Sequence, residues 1–337
     1  KEYRRQRQMC IRDSHFPIRG INTPVSVFGL GTMMFGAWGN PDRTECRRII
    51  DIAVDAGINF VDTADIYDRG ECESIVGETI RGRRDRIILA TKVGNPMSDD
   101  PSERGLSARW IKASCEASMR RMGVNHIDLY QMHRPDPSTP ILESIIAMNE
   151  LIDAGKISAY GTSTFSPAQL RDAFDAATKH GLIPPSTEQP PYSLFCRAVE
   201  NEVSPLCREH GVGLLTWAPL NGGWLTGKYA TAPTSDSRAV READHFDYAD
   251  EAARATKATA VESLRAIAAD QASSLTHLAL RFVVSNPAVA SCLLGPRTPE
   301  QALDLCASSS DALDADVLAA INSVVSPGVT INPRDNG

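Results

Sequence analysis

No apolar stretch in this chain approaches the length needed to span a membrane. Neither sign of charge dominates. The 35 basic and 42 acidic side chains leave a formal charge of −7, which gives no overall pull toward nucleic acid or an anionic membrane. The eight cysteines, Cys10, Cys46, Cys72, Cys115, Cys196, Cys207, Cys292 and Cys306, form no C-x-x-C pair. That spacing suits neither zinc nor a disulfide framework, and it points to a reducing, cytoplasmic compartment. No G-x-G-x-x-G opens a helix after the first strand. The nearest stretch, "GLGTMMFG", is too bulky in its second half for a Rossmann turn. No H-x-H or carboxylate cluster suggests a metal, which counts against a metal-dependent hydrolase. No Pro-, Gly- or Ser-rich linker divides the chain.

What is present is a regular alternation. From Val25 onward, eight short β-rich runs are separated by helix-patterned segments. The runs are "VSVFGLGT", "INFVDTA", "RIILATKVG", "HIDLYQMH", "ISAYGTSTF", "PSTEQ", "GVGLLTWAP" and "AVASCLLGP". "PSTEQ" is assigned by its place in the order rather than by its composition. Asp42, Ser107 and Ser166 stand where helix caps belong, and Thr139 precedes Pro140 at another first turn. Gly57, Gly123, Gly155 and Gly181 stand at the far ends. A final helix is expected over about 314–325. Strands joined by helix-length crossovers pair in parallel. Eight such units in 337 residues predict a single-domain, closed (β/α)8 TIM barrel over residues 15–337. The basic segment 1–14 is read as a non-native or disordered leader, because Met9–Ser14 is also what a common sequencing-library transposon end encodes in one frame. The stretch 221–250 is too long to be a plain connector, which marks it as a functional loop.

In such barrels the chemistry sits at the carboxyl ends of the strands. There the sequence places Asp62 and then Tyr67, Lys92, His133, Ser163 with Thr164, Gln189 and Trp217. Each charged group has a plain alternative: Asp62 as a loop cap, Lys92 as a solvated rim charge, His133 as a satisfied core histidine. Their convergence on neighbouring strands favours chemistry. A phenol is ordinarily too weak an acid to give up its proton near neutral pH. A nearby ammonium favours the phenolate, so Lys92 is expected to lower the pKa of Tyr67 while Asp62 holds the lysine. His133 can donate to the same reacting oxygen. This is apparatus for protonating a carbonyl oxygen, and with no serine, cysteine or metal nucleophile beside it, a hydride donor is the natural partner.

At this level the sequence resembles the aldo-keto reductases, in the branch like the potassium-channel β subunits. The stretches that carry the resemblance are "GLGTMMFGAWG", "GINFVDTADIYDRGECESIVGE", "ATKVG", "HIDLYQMHRPDPSTPILES", "LIDAGKISAYGTSTFSPAQL", "EQPPYSLFCR", "LTWAPLNGGWLTGKY" and "LLGPRTPEQ". The resemblance implies a catalytic tetrad of Asp62, Tyr67, Lys92 and His133, with Tyr67 as proton donor. It implies NADP(H) lying across the barrel mouth. Thr32, Asp62, Ser163, Thr164, Gln189 and Trp217 would stand at the nicotinamide end. Pro219, Leu220, Gly223, Gly227, Lys228 and Arg238 would belong to the pyrophosphate loop. Gly295, Arg297, Thr298 and Gln301 would stand at the adenosine end. An arginine at 297 favours the 2′-phosphate of NADP, the plain alternative being a rim charge paired with Glu300 or Asp304. Trp38, Tyr67 and His133 would meet a small carbonyl substrate, and Trp38 and Trp224 are open to a reading as plain packing. Two positions depart from the family: Thr164 and Leu305 stand where asparagine is common. Two functions follow as expectations, an NADPH-dependent carbonyl reductase and an NADP(H)-sensing regulatory subunit.

Overall fold

Alternation of apolar residues along each strand decides which side chains enter the barrel. The computed structural model describes residues 15–230, 240 and 250–337, so the segment read as a leader lies outside the described residues. In chain order the strands are β1 (His15–Phe16), β2 (Val25–Ser26), β3 (Phe28–Gly31), β4 (Phe60–Asp62), β5 (Ile88–Val93), β6 (Ile127–Met132), β7 (Ile157–Thr162), β8 (Thr187–Glu188), β9 (Gly213–Thr216) and β10 (Val289–Leu294). The last eight close into one barrel in the order β10-β3-β4-β5-β6-β7-β8-β9. Every neighbouring pair is parallel. All eight runs read from the sequence supply a stave, and the fold is the expected (β/α)8 barrel.

The helices form where the caps stand. Asp42 accepts from the amides of Thr44 and Glu45 at 2.7 and 3.2 Å, opening helix Arg43–Asp55. Ser107 opens Ala108–Met122. Ser166 and Gln169 make a reciprocal capping box at the start of Pro167–His180. Gly123 and Gly181 end their helices in the left-handed region, at φ 65° and 64°. Helices Glu71–Ile80, Val203–Glu209, Glu251–Asp270, Leu275–Val284 and Pro299–Leu305 complete the crossovers, and Ala315–Val324 follows the last.

Two local expectations are corrected. Helix Ile141–Asp153 takes Pro140 as its N-cap with no side-chain cap. Thr139 instead donates to Asp136 Oδ2 at 2.7 Å, which holds its hydroxyl on that carboxylate rather than over the amides of the helix start. The run "VSVFGLGT" is also not one strand. Its first part, β2, pairs antiparallel with β1, and only β3 joins the barrel. The β1–β2 ribbon covers the barrel floor. Ile18 and Val25 join Phe60, Ile88, Leu129, Ala159, Leu215 and Ala290 in one buried cluster, with Phe16 and Trp217 packed against it. Apolar side chains left open at the amino ends of the staves would otherwise face water.

Helix packing explains one spacing in the sequence, Glu73-x-x-x-Gly77. A Cβ on Gly77 would stand 2.1 Å from the carbonyl oxygen of Met122 and 2.5 Å from its Cα. The two helices touch backbone to backbone there. Alanine gains about 1 kcal/mol of helix propensity over glycine, but the clash requires helices to part, which costs typically 1–3 kcal/mol or more. Gly77→Ala is therefore expected to lower the denaturant midpoint rather than raise it; a raised midpoint would mean that the contact yields easily.

Candidate active site

The period of two puts the polar residues on the inner face. Below them stand Phe60, Ile88, Ala90, Leu129, Ala159 and Leu215. One or two steps further along the same staves come Asp62, Lys92, Gln131 with His133, Ser163 and Trp217, at inward positions by the same alternation. Beyond β4 the chain keeps to β5 for three residues: Thr63 N–H donates to Ala90 O at 2.9 Å and Asp65 N–H to Lys92 O at 3.4 Å. It then turns sharply. Asp68 and Arg69, neither of them glycine, hold φ 45° and 51°, a conformation that costs such residues roughly 1 kcal/mol or more each. The turn is tied down by Asp68, whose Oδ2 accepts from Ala37 N–H at 2.7 Å. Trp38 thereby stands 6.2 Å from the Tyr67 ring, centroid to centroid.

Lys92 is fully buried. Its ammonium donates to Asp62 Oδ2 at 2.5 Å, to the Thr63 carbonyl at 2.8 Å and to Tyr67 Oη at 3.3 Å. The other Asp62 oxygen accepts from Gln131 Nε2 at 2.9 Å and Gln189 Nε2 at 3.0 Å. His133 packs edge-on against Tyr67, centroids 5.7 Å apart, and its Nδ1 is buried without a partner among the described residues. Burial depresses the lysine, but Asp62 and Tyr67 together outweigh it and hold its pKa above the ordinary value. Burial, then Lys92 and Arg134, push His133 well below the usual histidine range, so the imidazole is neutral. The expected acidification of Tyr67 is corrected. Burial of the phenol outweighs the pull of Lys92 and leaves its pKa raised, because desolvation penalises the phenolate more than one ammonium at 3.3 Å relieves it.

Gln131 was not singled out by sequence reasoning, and neither was a second tier of buried acids. In the run "HIDLYQMH" a polar glutamine two residues before His133 was the available signal. Asp65 is sealed from water, accepting from Ile66 N–H at 2.7 Å and Ser114 Oγ at 3.0 Å. Glu73 accepts from Thr91 Oγ1 at 2.6 Å and Arg121 Nε at 2.5 Å. Glu188 accepts from Thr162 Oγ1 at 2.5 Å. Burial pushes Glu188 to about 7.

Among the residues expected to meet a cofactor, Thr32 is fully buried and donates to the Asp62 carbonyl at 3.1 Å. Ser163 commits its proton to Gln189 O at 2.8 Å, so its lone pairs are left to accept. Gln189 donates through Nε2, and its Oε1 accepts nothing among the described residues. Two acceptors at one place suit the amide of a nicotinamide. Thr164 sits at φ 58° and accepts from Arg134. Asparagine tolerates that backbone better than a β-branched residue. Trp217 is partly exposed, Pro219 is buried and Leu220 is half-buried. The turn carrying Gly223 and Gly227 has φ 103° and 74°. Lys228 is exposed beside the Tyr229 ring, and Arg238 lies outside the described residues. A Cβ on Gly295 would meet nothing within 4 Å, so backbone faces open space there. Thr298 caps helix Pro299–Leu305. Gln301 Oε1 accepts from Arg297 N–H at 2.8 Å, which directs the glutamine to its own helix start. Leu305 is part of the core. The open acceptors of Ser163 and Gln189 are compatible with a bound dinucleotide.

Burial first, then the charge of Glu73, raises Asp65 to about 7 against the offsetting hydrogen bonds of Ser114 and Ile66 and the charge of Arg121. An aspartate in the unfolded chain releases its proton near 4. Between those two values the folded state binds more protons, so the Asp65 contribution to stability falls as pH rises and stays flat above about 7. Asp65→Asn removes the dependence. The stability of the variant relative to the native chain is expected to grow by about 2–3 kcal/mol from pH 5 to pH 8, measured by denaturant titration. Parallel curves would mean that Asp65 is ionised throughout.

The sequence matches the Aldo/keto reductase family over residues 27–326. It is 39% identical over 291 residues to a protein of Arabidopsis thaliana named "Probable voltage-gated potassium channel subunit beta", covering 83% of this chain and 88% of that one. Two proteins of Bacillus subtilis are each 35% identical: "Uncharacterized oxidoreductase YrpG", over 89% of this chain and 92% of that one, and "Aldo-keto reductase YhdN", over 89% and 90%. A match that runs from the first stave to beyond the last crossover leaves one assignment: this chain belongs to the aldo/keto reductase family.

Proposed function

We propose that this protein reversibly reduces an aldehyde or ketone to an alcohol with NADPH, and that Tyr67 is its general acid. The observation that carries this reading is a lysine sealed from water, 2.5 Å from Asp62 and 3.3 Å from the Tyr67 oxygen. Bound NADPH would supply a hydride to the carbonyl carbon. The chain supplies the proton. Before reaction the partly buried Tyr67 keeps its proton, in line with its raised pKa. As charge builds on the carbonyl oxygen, Tyr67 passes its proton to it, and the phenolate left behind faces the Lys92 ammonium. At 3.3 Å and an effective dielectric of about 20, that attraction is worth roughly 5 kcal/mol. It operates only once the charge has formed, which is where stabilisation raises a rate. Asp62 keeps Lys92 charged, and the neutral His133 orients the reacting oxygen through a hydrogen bond. Ser163, Gln189 and Trp217 hold the nicotinamide, and Arg297 grips the 2′-phosphate.

A second reading draws on the Arabidopsis relative, named as a probable voltage-gated potassium channel subunit beta: a non-catalytic regulatory subunit that senses NADP(H). Two measurements separate the readings. Oxidation of NADPH by a panel of aldehydes and ketones should be fast in the native chain and about 10²–10⁴-fold slower in Tyr67→Phe, with NADPH affinity by fluorescence titration within a few-fold. A native chain no faster than the variant on every carbonyl favours sensing. Arg297→Ala should weaken NADPH about 10–100-fold and NADH hardly at all; an equal loss for both removes the phosphate from Arg297.

A further inference from the structure

A cavity of about 460 Å³ begins where β5 and β6 end. Gly94, two residues beyond Lys92, and Arg134, next to His133, are on its wall, together with Arg104, Arg109, Asp136 and Ser138. Three arginines therefore stand on the wall of one hollow next to the site, with the Arg134 guanidinium also reaching Thr164 and the Trp217 ring. None of the three makes an ion pair among the described residues. Arg109 donates one bond to Ser102 O at 2.6 Å, Arg104 one long bond to Ser98 O at 3.5 Å, and Arg134 one to Thr164 Oγ1. A guanidinium carries five N–H donors, so most of these are uncommitted.

The acids nearby are already occupied. Asp136 receives bonds from Leu106 N–H, Ser138 N–H, Ser138 Oγ and Thr139 Oγ1, between 2.5 and 2.9 Å. Burial works against its charge, but those bonds prevail and hold it at about 2. The same carboxylate ties Leu106 to the next stave, and a Cβ on Gly105 would meet it at 2.5 Å. The wall is therefore fixed before any ligand arrives. Asp100, fully exposed, is held below the usual range first by Ser102, with Arg109 and Arg104 contributing least. Glu103 accepts from Ser98 Oγ at 2.5 Å. What remains unanswered in the hollow is positive charge in planar, fork-shaped donors, the geometry that suits carboxylate or phosphate oxygens.

We propose that the substrates are carbonyl compounds bearing an anionic group, a carboxylate or a phosphate, which is received by Arg104, Arg109 and Arg134 while the carbonyl meets Tyr67. This rests on the reductase reading above and specifies its substrate class. Arg134 joins the two regions, since it lines the cavity and its charge also bears on His133 and Tyr67.

The test compares 4-formylbenzoate, 4-formylphenyl phosphate and the neutral methyl 4-formylbenzoate. We expect kcat/KM for at least one anion to exceed that for the ester by about 10–100-fold, mostly through KM. The preferred anion separates a carboxylate substrate from a phosphate one. The double variant Arg104→Gln/Arg109→Gln alters two exposed side chains and should fold; it is expected to lose most of that preference, as is the native chain in high salt. Equal turnover of ester and anions overturns the proposal and leaves the reductase reading intact. If no carbonyl is turned over, that reading fails, and calorimetric binding of terephthalate and phenyl phosphate decides the cavity separately. Binding of either by the native chain but not by the double variant supports the proposal, and no binding overturns it. A double variant that instead loses NADPH affinity assigns these arginines to the cofactor, which also overturns it.

Discussion

The ion pair between Lys92 and Asp62 is the point on which the mouth of this barrel is assembled. Two charges removed from water lose hydration that a single Coulombic contact rarely restores. Here the deficit is offset by a set of directed bonds. The ammonium has three acceptors, Asp62, the Thr63 carbonyl and the Tyr67 hydroxyl, for its three protons. The carboxylate takes Lys92 on one oxygen and two glutamine amides on the other. Gln189 then receives Ser163 on its carbonyl. A single buried charge pair thus fixes side chains on or just beyond five consecutive staves, and the residues proposed for proton transfer and for nicotinamide binding become parts of one hydrogen-bonded unit.

Strain collects around that unit. Six described residues other than glycine hold positive φ. Asp68 and Arg69 follow Tyr67, Thr164 follows Ser163, Ala218 follows Trp217 and Asn221 lies just beyond; only Ala272 is elsewhere. The chain has to turn immediately after each of these side chains to leave the barrel mouth, and local comfort yields to that requirement. The second tier of Asp65, Glu73 and Glu188 belongs to the same account. Each buried carboxyl accepts at least one hydrogen bond from a neighbouring element, so these groups brace the turns from behind.

Much of this was legible in the sequence, for physical reasons that can be named. The eight staves were readable because parallel strands covered on both faces are nearly continuous apolar runs. Even β8, two residues long, was found from its place in the alternation. Asp62, Lys92 and His133 stood out because charge at the tip of such a run has no packing purpose. The β1–β2 ribbon was hidden because two residues of strand give no periodicity. Gln131 was hidden because a lone amide inside a strand run looks like tolerated polarity until its partner is known. The resting state of Tyr67 was misjudged from sequence because spacing reveals which charge is near but not how much water is excluded. The arginine-lined hollow needs residues 94–109 and 134–139 folded together, and no local pattern announces that.

The ribbon across the floor has a consequence for traffic. Ile18 and Val25 stopper one end of the barrel, and the apolar column above them reaches Trp217 at the other. Among the described residues, that axis is filled by apolar side chains. Whatever approaches the Tyr67 hydroxyl along that axis comes from the carboxyl-terminal face, so the dinucleotide and carbonyl compound proposed above would share one doorway. Under that reading the guest lying deeper would have to arrive first and leave last.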